Sequence, residues 1–507
     1  MISGKQQQTK QWSITNTLLE HTTFTMDPDS DEEDVLLAIN MLQQLQAVVV
    51  HSVAAKRRRD PIDHRLLPRE EKRKFRHKEA LESIRYDYLG PNPLFGREFD
   101  LMFRVSRSRF QRMLEDFGNC NVPFYSGKKD CFSNDVPSLE ARLLLPLKCL
   151  AYGVPPHAFM DYFSMSKTTA RTCYIQFTKT MNQLYLHEYY SKPTKQDLKN
   201  INALHKSVHR NVDGIFGSLD CMQTEWAKCP VAWAGQHKKG KGKPSIVLEG
   251  MSDYHLYFWH ASFGCAGTLN DVNVLNLSPL TDMLLNGEMQ ALEEGVVPFQ
   301  IAGETFEQMY ILVDGIYPAY SRFVKAFKEP AGDKERSLTS WQEAARKDIE
   351  RAFGVLQAKF QFLARPIVIR DIKLIEEAVT CCLIMHNMCV SDRVMDGDVR
   401  AQHNPAHTVD LEEENEDMVS HSAELHHLRE EGRSNHKSTN KSVRAESVAV
   451  IGAANVDLPA QQLVTRKNRW MTLIDKEEHG RLSNALQNHL VVEHRAKKRT
   501  RGGSNHA

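Results

Sequence analysis

Two apolar runs of this chain each stop on an aspartate, and that pairing constrains the fold more than any other feature. Gly214-Ile215-Phe216-Gly217-Ser218-Leu219-Asp220 predicts a short buried strand. Met309-Tyr310-Ile311-Leu312-Val313-Asp314 has the same form, and Gly315 after it gives the chain room to turn. Between them, Ser245 to Gly250 and Tyr257 to Phe263 predict a second and a third strand. Asp271 opens a helical stretch over Val272 to Leu285. A helix carrying Glu350 is expected over about Thr339 to Phe360, and another apolar helix over Ile372 to Val390.

Three strands in succession, a helix, a strand and then helices form a specific order. It matches an RNase H-like α/β fold, a mixed sheet flanked by helices. Upstream the period is helical. Leu101 to Leu114 and Leu139 to Tyr152 are two such stretches, the second containing Pro146, which is expected to kink it. A short helix over Phe159 to Phe163, a turn and cap at Ser164-Met165-Ser166, and a helix over Lys167 to Leu184 carrying Lys167 and Arg171 make a helix-turn-helix pattern. Many all-helical domains share that pattern. The expected organisation is a disordered tail over 1–61, a helical domain over 62–205, a nuclease-type α/β domain over 206–395, and a mostly disordered region over 396–507 with one helix near 463–492.

Charge is segregated along the chain. Overall, 65 basic residues face 64 acidic ones, for a net charge of +1. From Lys56 to Lys78, eleven Lys/Arg against four Asp/Glu give 11 − 4 = +7. Acidic runs lie at Asp27 to Asp34 and Glu412 to Asp417, and a basic run at Arg495 to Arg501. Separated blocks of this kind suit solvated tails and contacts with polyanions better than a small metabolic enzyme. Lys56-Arg57-Arg58-Arg59 reads equally as a nuclear import signal or a solvated linker. None of the ten cysteines falls in a C-x-x-C pair, so zinc-finger spacing is absent and reduced thiols are expected. No secretory leader and no membrane span is expected, which suggests a soluble intracellular protein.

The acids carry the chemistry. Breaking a phosphodiester bond with water or a 3′-hydroxyl needs an activated nucleophile and a stabilised leaving oxygen, and a pair of Mg²⁺ ions supplies both. Mg²⁺ takes hard oxygen ligands, so a site of three or four carboxylates is the expected signature. Asp220 and Asp314 at strand ends would emerge together if their strands were parallel neighbours. Glu350 follows Asp314 after 35 intervening residues and sits beside the apolar face formed by Ala345, Ile349, Phe353 and Leu356. Gly354, one turn on, leaves space for metal or DNA. Each acid also has an ordinary reading: a strand-end Asp as a turn former, and Glu350 as a solvated residue paired with Arg346 or Arg351. Only the joint arrangement points to metal chemistry.

These residues also resemble a known family. Gly217-Ser218-Leu219-Asp220-Cys221-Met222, followed by Glu225-Trp226-Ala227-Lys228-Cys229-Pro230, looks like the first catalytic motif of PIF/Harbinger-type transposases, closest to their plant-transposon-protein branch. The likeness continues at Gly267 to Leu275, at Val313-Asp314-Gly315-Ile316-Tyr317-Pro318, at Asp348 to Leu356 and at His386-Asn387-Met388, and spans roughly 65 to 395. It implies an RNase H-like DDE nuclease that uses Mg²⁺ or Mn²⁺ to cut transposon ends and join them to a target. Carried over, Asp220, Asp314 and Glu350 would be the catalytic triad and Asp271 a fourth acid in the same pocket. The partners implied are double-stranded DNA, a second copy of the chain and a Myb-like accessory protein, with action in the nucleus. A domesticated DNA-binding protein lacking nuclease activity is the alternative.

Carboxylates alone repel DNA, so cations are needed nearby. Gln236 to Lys243 offers Lys238, Lys239, Lys241 and Lys243 in a glycine-containing loop between the first two strands, suited to holding phosphates or simply to solubility. Lys167 and Arg171 are the further DNA-contact candidates.

Overall fold

A computed structural model describes residues 75–127, 129, 135–285, 288–293, 297–395 and 474–503, which fall within a compact unit beginning at Phe75. The expected tail over 1–61, the Lys56–Arg59 cluster and both acidic runs lie outside the described residues.

A mixed sheet positions the acids. Strand β1 (Ile215–Glu225) pairs antiparallel with β2 (Ser245–Ser252), which pairs antiparallel with β3 (Phe258–Ala266). Two further strands form a separate small hairpin, β4 (Phe299–Ile301) with β5 (Glu304–Phe306). On its other edge β1 pairs in parallel with β6 (Tyr310–Leu312), and β6 with β7 (Phe323–Val324), giving the order β3-β2-β1-β6-β7.

Two expectations change here. Asp220 does not end its strand: β1 runs on to Glu225 because β2 continues to supply backbone partners along its whole length. Toward β6 the ladder does stop, with Ser218 opposite Leu312, so Asp220 and Asp314 each lie two residues past the last registered pair. The two-residue β7 carries no alternation that local sequence could reveal, and exists because β6 offers it an edge.

The helical part begins with α1 (His77–Ile84), α2 (Phe99–Phe103), α3 (Arg107–Asn119) and the short α4 (Pro123–Ser126). Next comes α5 (Leu139–Tyr152), which absorbs Pro146 without a break. The expected helix at Phe159 to Phe163 is instead one 3₁₀ turn over Pro156–Phe159, since Pro155 and Pro156 fix the backbone just before it. Helix α6 (Lys167–Tyr189) starts where Ser166 caps it, accepting from the Thr169 N–H at 3.0 Å. Helix α7 (Lys195–Val208) carries a full capping box of Thr194 and Asp197 and leads into β1.

After α8 (Val231–His237), the helical stretch following β3 divides into α9 (Asp271–Leu277) and α10 (Pro279–Leu285), because Pro279 cannot continue the first helix. A short α11 (Glu288–Glu293) precedes the β4–β5 hairpin. Helix α12 (Asp333–Lys359) is longer than expected at its N-terminal end and packs across β1 and β2. A short α13 (Gln361–Ala364) leads to α14 (Ile372–Met395). Residues Ile372–Val394 are long and apolar enough to cross a membrane, yet 89% of that apolar window is buried inside the fold, against α6 and β3.

The final helix, α15 (Lys476–Gly503), returns to pack on α12, β4 and β7. Leu482, Ala485, Leu486 and Leu490 recur at helical spacing and are buried there, so this part of the C-terminal region belongs to the core.

Candidate functional site

Helix α12 crosses the sheet directly over Asp220. The crossing is close because the residue registered opposite Asp220 is Gly250, where an added Cβ would come within 3.1 Å of the Phe353 ring. Ala345, Ile349, Ala352, Phe353 and Leu356 bury the sheet-facing side of α12, and Glu350, beside that stripe, is left half exposed. Gln342, fully buried two turns before Glu350, donates its amide to the Val313 carbonyl at 2.8 Å and the Val324 carbonyl at 3.1 Å. That clamp ties the helix carrying Glu350 to the end of β6, one residue before Asp314.

One guanidinium joins two of the acids. Arg346 donates to Asp220 Oδ2 at 2.8 Å and to Glu350 Oε1 at 2.5 Å. Burial works against its charge, but Asp220 and Glu350 outweigh that and hold it protonated. Arg351, the other basic neighbour, turns away to Asp348. The Asp220 carboxyl is nevertheless pushed up from its ordinary value by burial, which its bonds from the Cys221 N–H and Arg346 only partly offset. Asp271, at the start of α9 behind its Asn270 cap, is also pushed up, first by burial and then by the charges of Asp220 and Asp314. Asp314 is exposed and accepts from the Gly315 N–H at 2.7 Å. Gly315 has no positive φ, and an added Cβ there, as at Gly354, meets nothing within 4 Å, so both glycines border open space.

All four predicted acids therefore share one electrostatic neighbourhood where β1 and β6 part. Their oxygens are hard donors of the type a Mg²⁺-class cation takes, and the repulsion that adds to burial in raising Asp271 is what such a cation relieves. The donor set fits.

Beneath lies a layer that sequence reasoning missed. Cys221 Sγ and Tyr317 Oη are 3.8 Å apart, and both protons are held tightly by burial beside acids. Glu249, fully buried and registered opposite Cys221, meets His260 Nε2 at 2.9 Å, with Ser278 Oγ 3.0 Å from the same nitrogen. A glutamate inside an apolar strand, Ile246-Val247-Leu248-Glu249, is the one signal that pointed to it.

The cations fall into two groups. Lys238, Lys239, Lys241 and Lys243 are exposed beyond the end of β1, with Lys243 3.1 Å from Glu225. At about 3.3 Å per residue, the five-residue step from Asp220 to Glu225 places the base of this loop ~16 Å along the strand. The base is anchored: buried Trp226 donates to the Ile369 carbonyl at 2.8 Å, and His237 Nδ1 lies 3.0 Å from the Ser245 carbonyl. Exposed Lys167 and Arg171 line a cleft of about 660 Å³ with Lys228 and Arg370, two basic residues not among the expected DNA contacts, and with Asp371.

Residues 187–396 match a family model described as plant transposon protein, a stretch holding all four acids and the lysine loop. The match supports a transposon-derived family and a transposase-related function. No curated protein and no solved structure matches the chain.

Proposed function

We propose that this chain is an RNase H-like DDE transposase of the PIF/Harbinger type, cutting transposon ends and joining them to target DNA. The observation that carries the reading is that Arg346 joins Asp220 to Glu350 while Asp271 feels the charges of Asp220 and Asp314, on a β3-β2-β1-β6-β7 sheet whose β2 alone runs antiparallel to the rest. The family match over the same residues agrees with it.

A pair of Mg²⁺ or Mn²⁺ ions would supply nucleophile activation and charge stabilisation at the leaving oxygen. Asp220, Asp314 and Glu350, with Asp271, would hold them. Arg346 occupies two of those carboxylates and has to give way, after which its charge is free to meet a phosphate. Gln342 keeps Glu350 and Asp314 at a fixed spacing through the clamp on β6. Lys238, Lys239 and Lys241 would track the DNA backbone. Lys167 and Arg171, with Lys228 and Arg370, would hold a second stretch of duplex as a helix-turn-helix-like surface. Holding two DNA ends calls for a second copy of the chain, and the setting for this work is the nucleus.

The test is cleavage and strand transfer on DNA carrying the gene's own flanking repeats, with Mg²⁺, with and without a Myb-like partner. Removing a ligand that contributes several kcal/mol of charge stabilisation lowers the rate about 10³-fold, the loss expected for Asp314→Ala and Glu350→Ala. Sequence-specific binding with no cutting by wild type would replace this reading with that of a domesticated binding protein.

A further inference from the structure

On the far side of α12 from Glu350, a second group of metal-type side chains meets, and it contains nitrogen. His205 and His209 are four residues apart at the C-terminal end of α7, so they share one face, and their rings stack with centroids 5.3 Å apart. Asp348, buried on α12, brings Oδ2 to 3.2 Å from His209 Nε2. One donor atom from each of the three lies within 4.8 Å of the others. Ligands around a tetrahedral zinc, with bonds of ~2.0–2.1 Å, sit about 3.4 Å from one another. His209 and Asp348 are already that close, and closing the site needs a shift of at most about 1.4 Å by the third ligand.

We propose that His205, His209 and Asp348 bind a zinc-class divalent cation that pins α7 to α12. His205 is what an ordinary ion-pair account leaves unexplained. It is fully buried, and among the described residues neither ring nitrogen has a hydrogen-bond partner. A buried polar atom without a partner is destabilising, and a metal bond would satisfy one of the two ring nitrogens. Nitrogen ligands with one carboxylate suit zinc, whereas the acids around Asp220 offer oxygen alone and suit Mg²⁺. The surroundings provide the outer support that metal ligands need. Arg351 holds the other oxygen of Asp348 and lies 5.2 Å over the Tyr254 ring, which meets the His209 ring edge-on at 5.6 Å. His205 sits in the helix entering β1 and His209 at its C-cap, and Asp348 lies two residues before Glu350. The cation would therefore fix the rotation of α12 that aims Glu350 at Asp220, a positioning role.

Full-length protein is purified from zinc-supplied cells, zinc per chain is measured by mass spectrometry, and the stripped protein is titrated with Co²⁺ while its visible absorption is followed. About one zinc per chain is expected in wild type and equally in Asp314→Asn. His205→Gln and His209→Gln should weaken Co²⁺ binding by more than about 100-fold, beyond the loss typical of outer-shell changes. Wild type that binds neither ion stoichiometrically overturns the site, as does a His209→Gln protein that binds as wild type does. If His205→Gln does not fold, the wild-type stoichiometry and the variant at His209, which is less deeply buried than His205, decide the question. Zinc bound without DNA cleavage would leave this site standing and remove only the transposase reading.

Discussion

Arg346 holds the place between Asp220 and Glu350 that a cation would take, so replacing it by glutamine should cost stability and raise metal affinity together. The magnitude follows from two unequal arms. The Asp220 arm joins groups whose side chains are 18% and 21% exposed, and a charge-assisted bond in that setting contributes about 1.5 kcal/mol, the low end of its range. The Glu350 arm ends on a carboxylate that is 48% exposed, and an i,i+4 pair of that kind contributes only about 0.3–0.5 kcal/mol. Together they predict that metal-free Arg346→Gln loses about 2 kcal/mol in urea unfolding at pH 7. The same sum is what a metal must displace in wild type, so Mn²⁺ measured by calorimetry should bind up to about 30-fold more tightly to the variant. Stability gained on adding Mn²⁺ should grow accordingly. Affinity unchanged within twofold, or weaker, would refute the competition and leave Arg346 as a partner that helps assemble the acids.

Three further outcomes follow from other parts of the fold. Asp271 carries a raised carboxyl, so between the ordinary aspartate range near 4 and its folded value the native state binds more protons than the unfolded one, and stability falls as pH rises. Metal-free Asp271→Asn should thus gain on wild type as pH rises above the ordinary aspartate range in thermal unfolding, and a gap that ignores pH would count against a raised carboxyl at Asp271. Gly153 has φ +64° and an added Cβ there would lie 2.6 Å from the Gln361 carbonyl oxygen, so Gly153→Ala should destabilise by more than about 2 kcal/mol in urea unfolding, while a loss under 0.5 kcal/mol would contradict the packing of α5 on α13. Replacing Lys238, Lys239 and Lys241 together by alanine should lower the slope of log affinity against log salt on duplex DNA by about 2–3, and an unchanged slope would remove the loop from the interface.

What could be read along the chain was what local physics decides. Ser138, Ser166, Thr194 and Asn270 each cap a helix with their own side chain, a bond that spans three residues and needs no tertiary partner. The apolar runs before Asp220 and Asp314 produced neighbouring parallel strands, because runs of that kind have to be covered on both faces. What the sequence left open depends on partners far away. The length of β1 past Asp220 is set by β2, and the docking of α15 by the faces of α12, β4 and β7.

The bond from Arg346 to Asp220 spans 126 positions, and that from His209 to Asp348 spans 139. His205 and His209 stand four apart in the sequence without drawing notice there, since only the crossing of α12 over the sheet brings Asp348 to them. The sequence by itself determined which residue types were available and which local elements would carry them. The tertiary structure alone decided which charges meet, because an ion pair or a metal site forms between points in space, and the chain sets those points only once its core has packed.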